Sequence, residues 1–276
     1  MLTSAEISLL AMGLCYLTSI FATYMFQFVK HIRNKSVDGI NPHFMLIGNI
    51  SSVCSFINSL IFYFSVIHEC FEIDLILCLN KSLGLYQIGS QYLCYLILYL
   101  IYAILYRIPV HIMDSETALF LAPHQIKRKR GFIILYYFLA MLGNIVLLTI
   151  TLILLSKNNW HGDQELINYA RVFGIIATVA VVLQYLPQIR ELYMKKNAKN
   201  LSVVTYILLA VGNFISFFYL TMQEASDVTT WISYLVCMLV QCTMIMQIIH
   251  YERRRKILER THSLQYDDDS EIIEPY

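Results

Sequence analysis

Residues 172–189 read VFGIIATVAVVLQYLPQI, eighteen positions without a charged side chain. A membrane-spanning helix needs about 20 mostly apolar residues. This run reaches that length if the helix begins near Tyr169, with Arg171 extending toward the interface. Working outward, six more charge-free runs of sufficient length occur at 7–29, 39–67, 82–106, 131–156, 200–223 and 228–250. The run at 39–67 is longer than needed, so its first turn, with Pro42 where a missing N–H costs nothing, sits at the membrane surface. The first run follows Glu6 rather than Lys or Arg and is too long for a signal-peptide core, so it is a retained span. Composition agrees. The 276 residues are 58% hydrophobic and 14% charged, whereas soluble domains carry about 25% charged residues. The sequence predicts an all-α polytopic membrane protein with seven transmembrane helices and the lipid bilayer as its solvent.

Basic residues divide unevenly between the two sides of such a bundle. One side takes the loops after spans 1, 3 and 5 and the carboxyl tail, and it holds seventeen of the twenty Lys and Arg. The other keeps Lys81, Lys157 and Arg171. By the positive-inside rule the amino terminus is luminal or extracellular and the tail is cytosolic. Cys70 and Cys78 fall in one polar segment between spans 2 and 3, on the luminal side, where a disulfide and two free thiols are both open. A net charge of +1 argues against nucleic acid as a partner.

Sliding the chain by 161 positions aligns Gly13 with Gly174, Tyr24 with Tyr185, Gln27 with Gln188, Lys35 with Lys196, and Ser55-Phe56 with Ser216-Phe217. The matches fall at equal depth in spans 1 and 5 and in spans 2 and 6. Three spans reverse the side of the chain, so two copies run parallel only with one span between them. The expected organisation is therefore 3+1+3. Residues 1–106 form the first three-helix repeat, and 107–168 hold a cytosolic loop, the linker helix 131–156 and a luminal loop. Residues 169–250 form the second repeat and 251–276 the cytosolic tail.

Pro187-Gln188 with the following Lys196-Asn197-Ala198-Lys199-Asn200-Leu201-Ser202 resembles the PQ-loop motif. Phe26-Gln27 followed by Lys35-Ser36-Val37-Asp38-Gly39-Ile40-Asn41 is similar but lacks the proline. Lys35–Gly39 and the segment Trp231-Ile232-Ser233-Tyr234-Leu235-Val236 resemble a little-described fungal branch of the PQ-loop repeat family. Relatives in that family include lysosomal cystine exporters, vacuolar basic amino-acid exporters, SWEET-like sugar facilitators and phospholipid scramblases. The resemblance implies a hinge and gate at Pro187 and Gln188, with Gln27, Tyr24 and Tyr185 in corresponding places.

Pro187 removes one helical hydrogen bond and frees the Leu183 carbonyl, which the Gln188 amide or a neighbouring helix can satisfy. Phe26 leaves the matching ladder in span 1 intact. Asn213 lies near the midplane of span 6, and Ser52, with Asn49 one turn before it, stands at the equivalent depth of span 2. Uncharged amides in lipid face another helix or a cavity, so Asn213, Asn49 and Ser52 are candidates for substrate contact or for interhelical bonding. The stripe Gly48, Ser52, Ser55, Ser59 reads as close helix packing in preference to a channel wall, and so do Gln87, Gln91 and Asn144.

No Asp or Glu interrupts the core of any run, so an intramembrane proton carrier is not expected, and no catalytic, metal or cofactor motif stands in a suitable context. The sequence thus points away from an enzyme. It points to a carrier of a small-molecule substrate, foremost an amino acid leaving a vacuole or lysosome by alternating access. A phospholipid scramblase or a trafficking regulator is the second expectation, and homo-oligomerisation is left open. The tail carries a basic stretch from Arg253 to Lys256 suited to anionic lipid or to anchoring topology. Its acidic end, with Ile272-Ile273, faintly resembles a dileucine signal but reads as solvated and disordered.

Overall fold

The computed structural model describes residues 4–35, 42–105, 123–157, 164–195, 203–223 and 225–271. The loop halves of both motif copies (Ser36–Asn41 and Lys196–Ser202), Asp38 and Ile272-Ile273 lie outside the described residues. The described helices are α1 (Ser4–Asn34), α2 (Pro42–Phe62), α3 (Phe64–Glu69), α4 (Leu75–Leu105), α5 (Pro123–Lys157), α6 (Gln164–Lys195), α7 (Val203–Thr221) and α8 (Val228–Glu271). Six of them are long and apolar enough to cross a membrane, and α7 adds a shorter apolar segment, Tyr206–Thr221. The protein is an all-helical, seven-helix polytopic membrane protein.

Helix limits depart from the charge-free runs in four informative places. The run at 39–67 becomes α2 and the short α3, offset at Tyr63, yet the Tyr63 and Ile67 amides still donate to Ser59 and Tyr63. Helix α4 starts at Leu75, about two turns before Ser82, the first residue of its charge-free run, and it carries Lys81 in an exposed position paired with Glu69 at 3.2 Å. Helix α6 starts at Gln164, ahead of Tyr169. The tail is a correction to the expectation of disorder: α8 runs unbroken from Val228 through Glu271. Residues 251–260 are rich in Arg, Lys, Glu and Leu, which favour helix, and no Gly or Pro interrupts the chain before Pro275.

The helices close into a ring in the order α1, α4, α2, α6, α8, α7, with α7 returning to α1. Within each half the third long helix lies between the first two, and α4 and α8 hold the same place in their halves. Helix α5 stands outside the ring against α2. Two hydrogen bonds tether it to α2. The Tyr137 hydroxyl donates to the Pro42 carbonyl at 2.7 Å, and Asn144 Nδ2 donates to Asn49 Oδ1 at 3.1 Å. The rest of α5 exposes Leu135, Phe138, Leu142, Ile145 and Ile153, an apolar surface suited to lipid. We call the end of the ring bearing the basic loops the basic face. The opposite end is the disulfide face, because Cys70 and Cys78 are bonded there, closing the turn from α3 into α4.

Gly174 marks a junction of the ring where both side chains and a backbone carbonyl close in. A methyl group there would lie 2.7 Å from Thr229 Cβ on α8, 2.8 Å from Asn58 Nδ2 on α2 and 2.8 Å from the Thr229 carbonyl oxygen. Gly143 on α5 has nothing within 4 Å of the same position. Gly174→Ala is therefore expected to destabilise the protein by about 1–3 kcal/mol through overpacking. Gly143→Ala should be neutral or slightly stabilising, since it removes only helix-interior glycine. Thermal unfolding of the two variants in detergent measures the difference, and equal melting temperatures would contradict it.

Candidate functional site

A cavity of about 140 Å³ lies inside the ring at mid-depth, and all six ring helices contribute to its wall. A water takes up about 30 Å³ of liquid, so the space has room for several waters. Helix α1 supplies Tyr24, and α2 supplies Gly48, Ser51, Ser52 and Ser55. Helix α4 contributes Gln91, Tyr92 and Tyr95, and α6 contributes Gln184 and Tyr185. From α7 comes Asn213, and from α8 come Ser233, Tyr234, Cys237 and Gln241. Ile88, Val181 and Leu209 complete the lining, which contains no Asp, Glu, Lys, Arg or His.

Hydrogen bonds between helices hold the polar wall in place. Asn213 Nδ2 donates to Gln241 Oε1 at 2.9 Å, and Gln241 Nε2 donates to the Tyr185 hydroxyl at 3.1 Å, joining α7, α8 and α6. Across the cavity the Tyr234 hydroxyl donates to Gln91 Oε1 at 3.1 Å, linking the two halves. Tyr185 also packs edge-on against Phe44 of α2, with ring centroids 5.5 Å apart. Gly48 is needed at its position because a Cβ there would overlap the Tyr95 hydroxyl and come within 2.6 Å of Gln184 Nε2. The wall therefore offers amide and hydroxyl donors and acceptors on a fixed frame, set among aromatic rings.

The expected site residues divide into two groups. Tyr24, Tyr185, Ser52 and Asn213 all meet on the cavity wall. Asn49 does not: it is fully buried and turns toward α5, where Asn144 bonds to it. One helical turn sets Ser52 and Asn49 near one face, but α2 is enclosed on two sides, so its polar residues serve different neighbours. Gln188 and Gln27 are half-buried and off the wall, and Gln188 Oε1 accepts from the Tyr206 hydroxyl of α7 at 3.1 Å. Pro187 is exposed and lies within the continuous helix α6.

Three residues of the small stripe, Gly48, Ser52 and Ser55, line the cavity, so the expectation of packing alone is corrected: α2 approaches α6 closely and still presents wall. Gln184, Tyr95, Tyr234 and Gln241 were not singled out for the site in the sequence. Gln184 and Gln241, as amides in otherwise apolar runs, carry a signal, whereas twenty tyrosines conceal the few that matter.

Beyond the cavity, toward the disulfide face, a polar chain crosses between the halves. Asn58 Nδ2 donates to the Ala170 carbonyl at 2.9 Å and to Thr229 Oγ1 at 3.0 Å, while Thr230 Oγ1 donates to Asn58 Oδ1 at 2.7 Å. Thr229 Oγ1 donates to Asp227, whose other oxygen pairs with Arg171 at 3.0 Å. Partial burial opposes the Asp227 charge, but the Thr229 amide, the Arg171 guanidinium and the Thr229 hydroxyl outweigh it and hold the carboxyl below its ordinary value.

A ring of helices built from two halves around a cavity lined by uncharged side chains defines a class of two-repeat membrane proteins. The PQ loop repeat profile matches residues 9–68 and 169–229, so the chain carries two copies of the PQ loop repeat, one in each half. An uncharacterised protein of Schizosaccharomyces pombe is 23% identical over 252 residues, covering 88% of this chain and 80% of its own length. Among solved structures, a eukaryotic SWEET transporter superposes with a TM-score of 0.52 at 12% identity, covering 91% of this chain and all of the other. That likeness shows the fold.

A depressed carboxyl contributes stability above its unfolded pKa, near 4, and loses it as pH falls through the lower folded value. The Asp227 link should therefore persist unchanged between pH 7 and pH 5. Asp227→Asn is expected to lower the melting temperature by the same amount at both, with the gap closing only below about pH 4. A gap that closed between pH 7 and pH 5 would contradict the assignment.

Proposed function

We propose that the protein is a carrier that moves a small neutral polar solute across an endomembrane by alternating access. The observation that carries this is the cavity between helices of both repeats, whose polar side chains are all uncharged and are set among a larger apolar surface. Parallel-repeat carriers place solute at that position. The solute class we put forward is an amino acid with an uncharged side chain. The wall has no side chain to neutralise a third charge, while its amides and hydroxyls can serve the ammonium and carboxylate of a zwitterion. Asn213, Ser52, Gln241 and Gln91 would hold it, and Asn49 would act through α5. With no carboxylate on the wall, movement would be downhill and uncoupled from protons.

The halves 1–106 and 169–250 would be the moving bodies, with residues 107–168 carrying the linker and 251–276 a cytosolic extension. Pro187 would supply the flexible point of α6, and Gln188, with its bond from Tyr206, would couple that point to α7. Tyr24, Gln27 and Tyr185 would sit along the same route. We place the basic face in the cytosol and the disulfide face in the lumen of a vacuole or lysosome. The charge asymmetry and the Cys70–Cys78 bond, which forms in oxidising compartments, both support that orientation.

Purified protein in proteoliposomes should show saturable uptake of at least one neutral amino acid. Gln241→Leu should reduce it about ten-fold or more, because the Asn213 and Tyr185 partners are left unpaired. Saturable uptake of sugars alone would replace the amino acid with a polyhydroxylated solute. Phospholipid scrambling without solute flux would favour the scramblase. Absence of both solute flux and scrambling would overturn the carrier.

A further inference from the structure

The two repeats meet twice around the ring, at α2 with α6 and at the pseudo-equivalent pair α7 with α1, and these joints are unequal. The α2/α6 contact is the most extensive in the molecule, while the α1/α7 contact is the slightest link of the ring. Along α2/α6 the bonds run the length of the helices. Phe44 packs on Tyr185 near the basic face, Ser51 Oγ donates to the Ala177 carbonyl at 3.0 Å, and Asn58 bonds to Ala170 near the disulfide face. From Phe44 to Asn58 is about 21 Å of helix. Every polar atom of the Asn58 amide is engaged, and Thr229 and Thr230 extend the link to α8.

The α1/α7 seam has a different character. Gly13 is set against Tyr219, and Gly212 lies 3.9 Å, measured from its would-be Cβ, from the Tyr16 ring. Beneath this seam, toward the disulfide face, the inner side of α4 carries Asn80, Gly84 and Gln87 at helical spacings of four and three, so they share a face. Gln87 Nε2 donates to the Gly13 carbonyl, but Gln87 Oε1 and Asn80 Oδ1 are buried with no hydrogen-bond partner. The Tyr63 hydroxyl, laid over Gly84 between them, is also buried without one. Three such oxygens in a row are unusual in a packed protein. They are accounted for if the same surface is wetted in a second conformation.

We infer that access to the disulfide face is one-sided. The α2/α6 joint stays shut throughout the cycle, and the route opens where α1 parts from α7, with Asn80, Tyr63 and Gln87 forming its wall. This rests on the carrier proposed above, but it concerns which joint moves and can be read without knowing the solute. Separating α1 from α7 breaks few contacts and hydrates three unpartnered oxygens. Separating α2 from α6 would strip the satisfied Asn58 amide and the Ser51 bond to Ala177.

The test uses full-length protein in proteoliposomes with a reporter thiol at Gln87→Cys, or at Asn80→Cys should the first variant not fold. An impermeant maleimide is added at the disulfide face. Labelling is read peptide by peptide, so that the native cysteines serve as references. A short bifunctional thiol reagent then joins either Tyr16→Cys to Gly212→Cys across the seam or Ser51→Cys to Ala177→Cys across the joint. The seam cross-link should slow labelling of the reporter by about ten-fold or more, and the joint cross-link should leave it within about two-fold. Labelling stopped by the joint cross-link, labelling indifferent to the seam cross-link, or no labelling of either reporter before cross-linking would each overturn the inference. Absence of solute flux with normal labelling would fault only the carrier.

Discussion

A polar group placed in hydrocarbon must find its partner within the protein, since there is no water to supply one. That constraint organises this structure. The spans carry amides and hydroxyls but no carboxylate or ammonium in their charge-free runs. The ring collects many of them on the inside: Asn58, Gln87, Gln91, Gln184, Asn213 and Gln241 point to neighbouring helices or the cavity, and the outer surface keeps Phe26, Leu142 and Ile175. Packing and polar satisfaction therefore have the same solution, a closed ring with a polar centre.

The same constraint explains why the two halves are related without being equal. Gly13 and Gly174 occupy corresponding positions, and each lets a neighbouring helix close in. Gly174 admits Asn58 and Thr229, however, whereas Gly13 admits Tyr219 and Leu83. Asn58 and Tyr219 are themselves separated by the repeat offset of 161. One ancestral place in the fold thus holds a hydrogen-bonded clasp in one copy and an aromatic contact in the other. The missing proline at Phe26 extends this asymmetry to the first helix of each half.

Much of the architecture was legible in the sequence because lipid sets a strict length and a strict charge rule. Runs such as 172–189 and 131–156 contain the cores of α6 and α5, and the offset matches show which helices correspond. Helix ends were less legible. Lys81 stops a charge-free run but not α4, because a helix can carry a charge once it reaches the interface. The basic segment beyond His250 gave no sign of ending α8. In the site, Tyr24, Tyr185, Ser52 and Asn213 were readable from depth and symmetry. Depth could not tell which side of a two-sided helix a residue faces, so Asn49 was expected at the cavity and instead bonds to Asn144. Gln241 and Tyr234 depend on contacts between distant segments, which spacing within one helix does not encode.

Cys237 offers the most direct test that the cavity holds the solute. It lines the wall with its sulfur 3.4 Å from Gln241 Nε2, whereas Cys242 lies on the same helix outside the lining. The rates at which a small neutral methanethiosulfonate modifies the two thiols can be followed by mass spectrometry in reconstituted protein. A transported solute should slow modification of Cys237 in proportion to its saturation of transport and leave Cys242 unchanged. A solute that saturates transport yet leaves both rates unaltered would contradict the placement of the site.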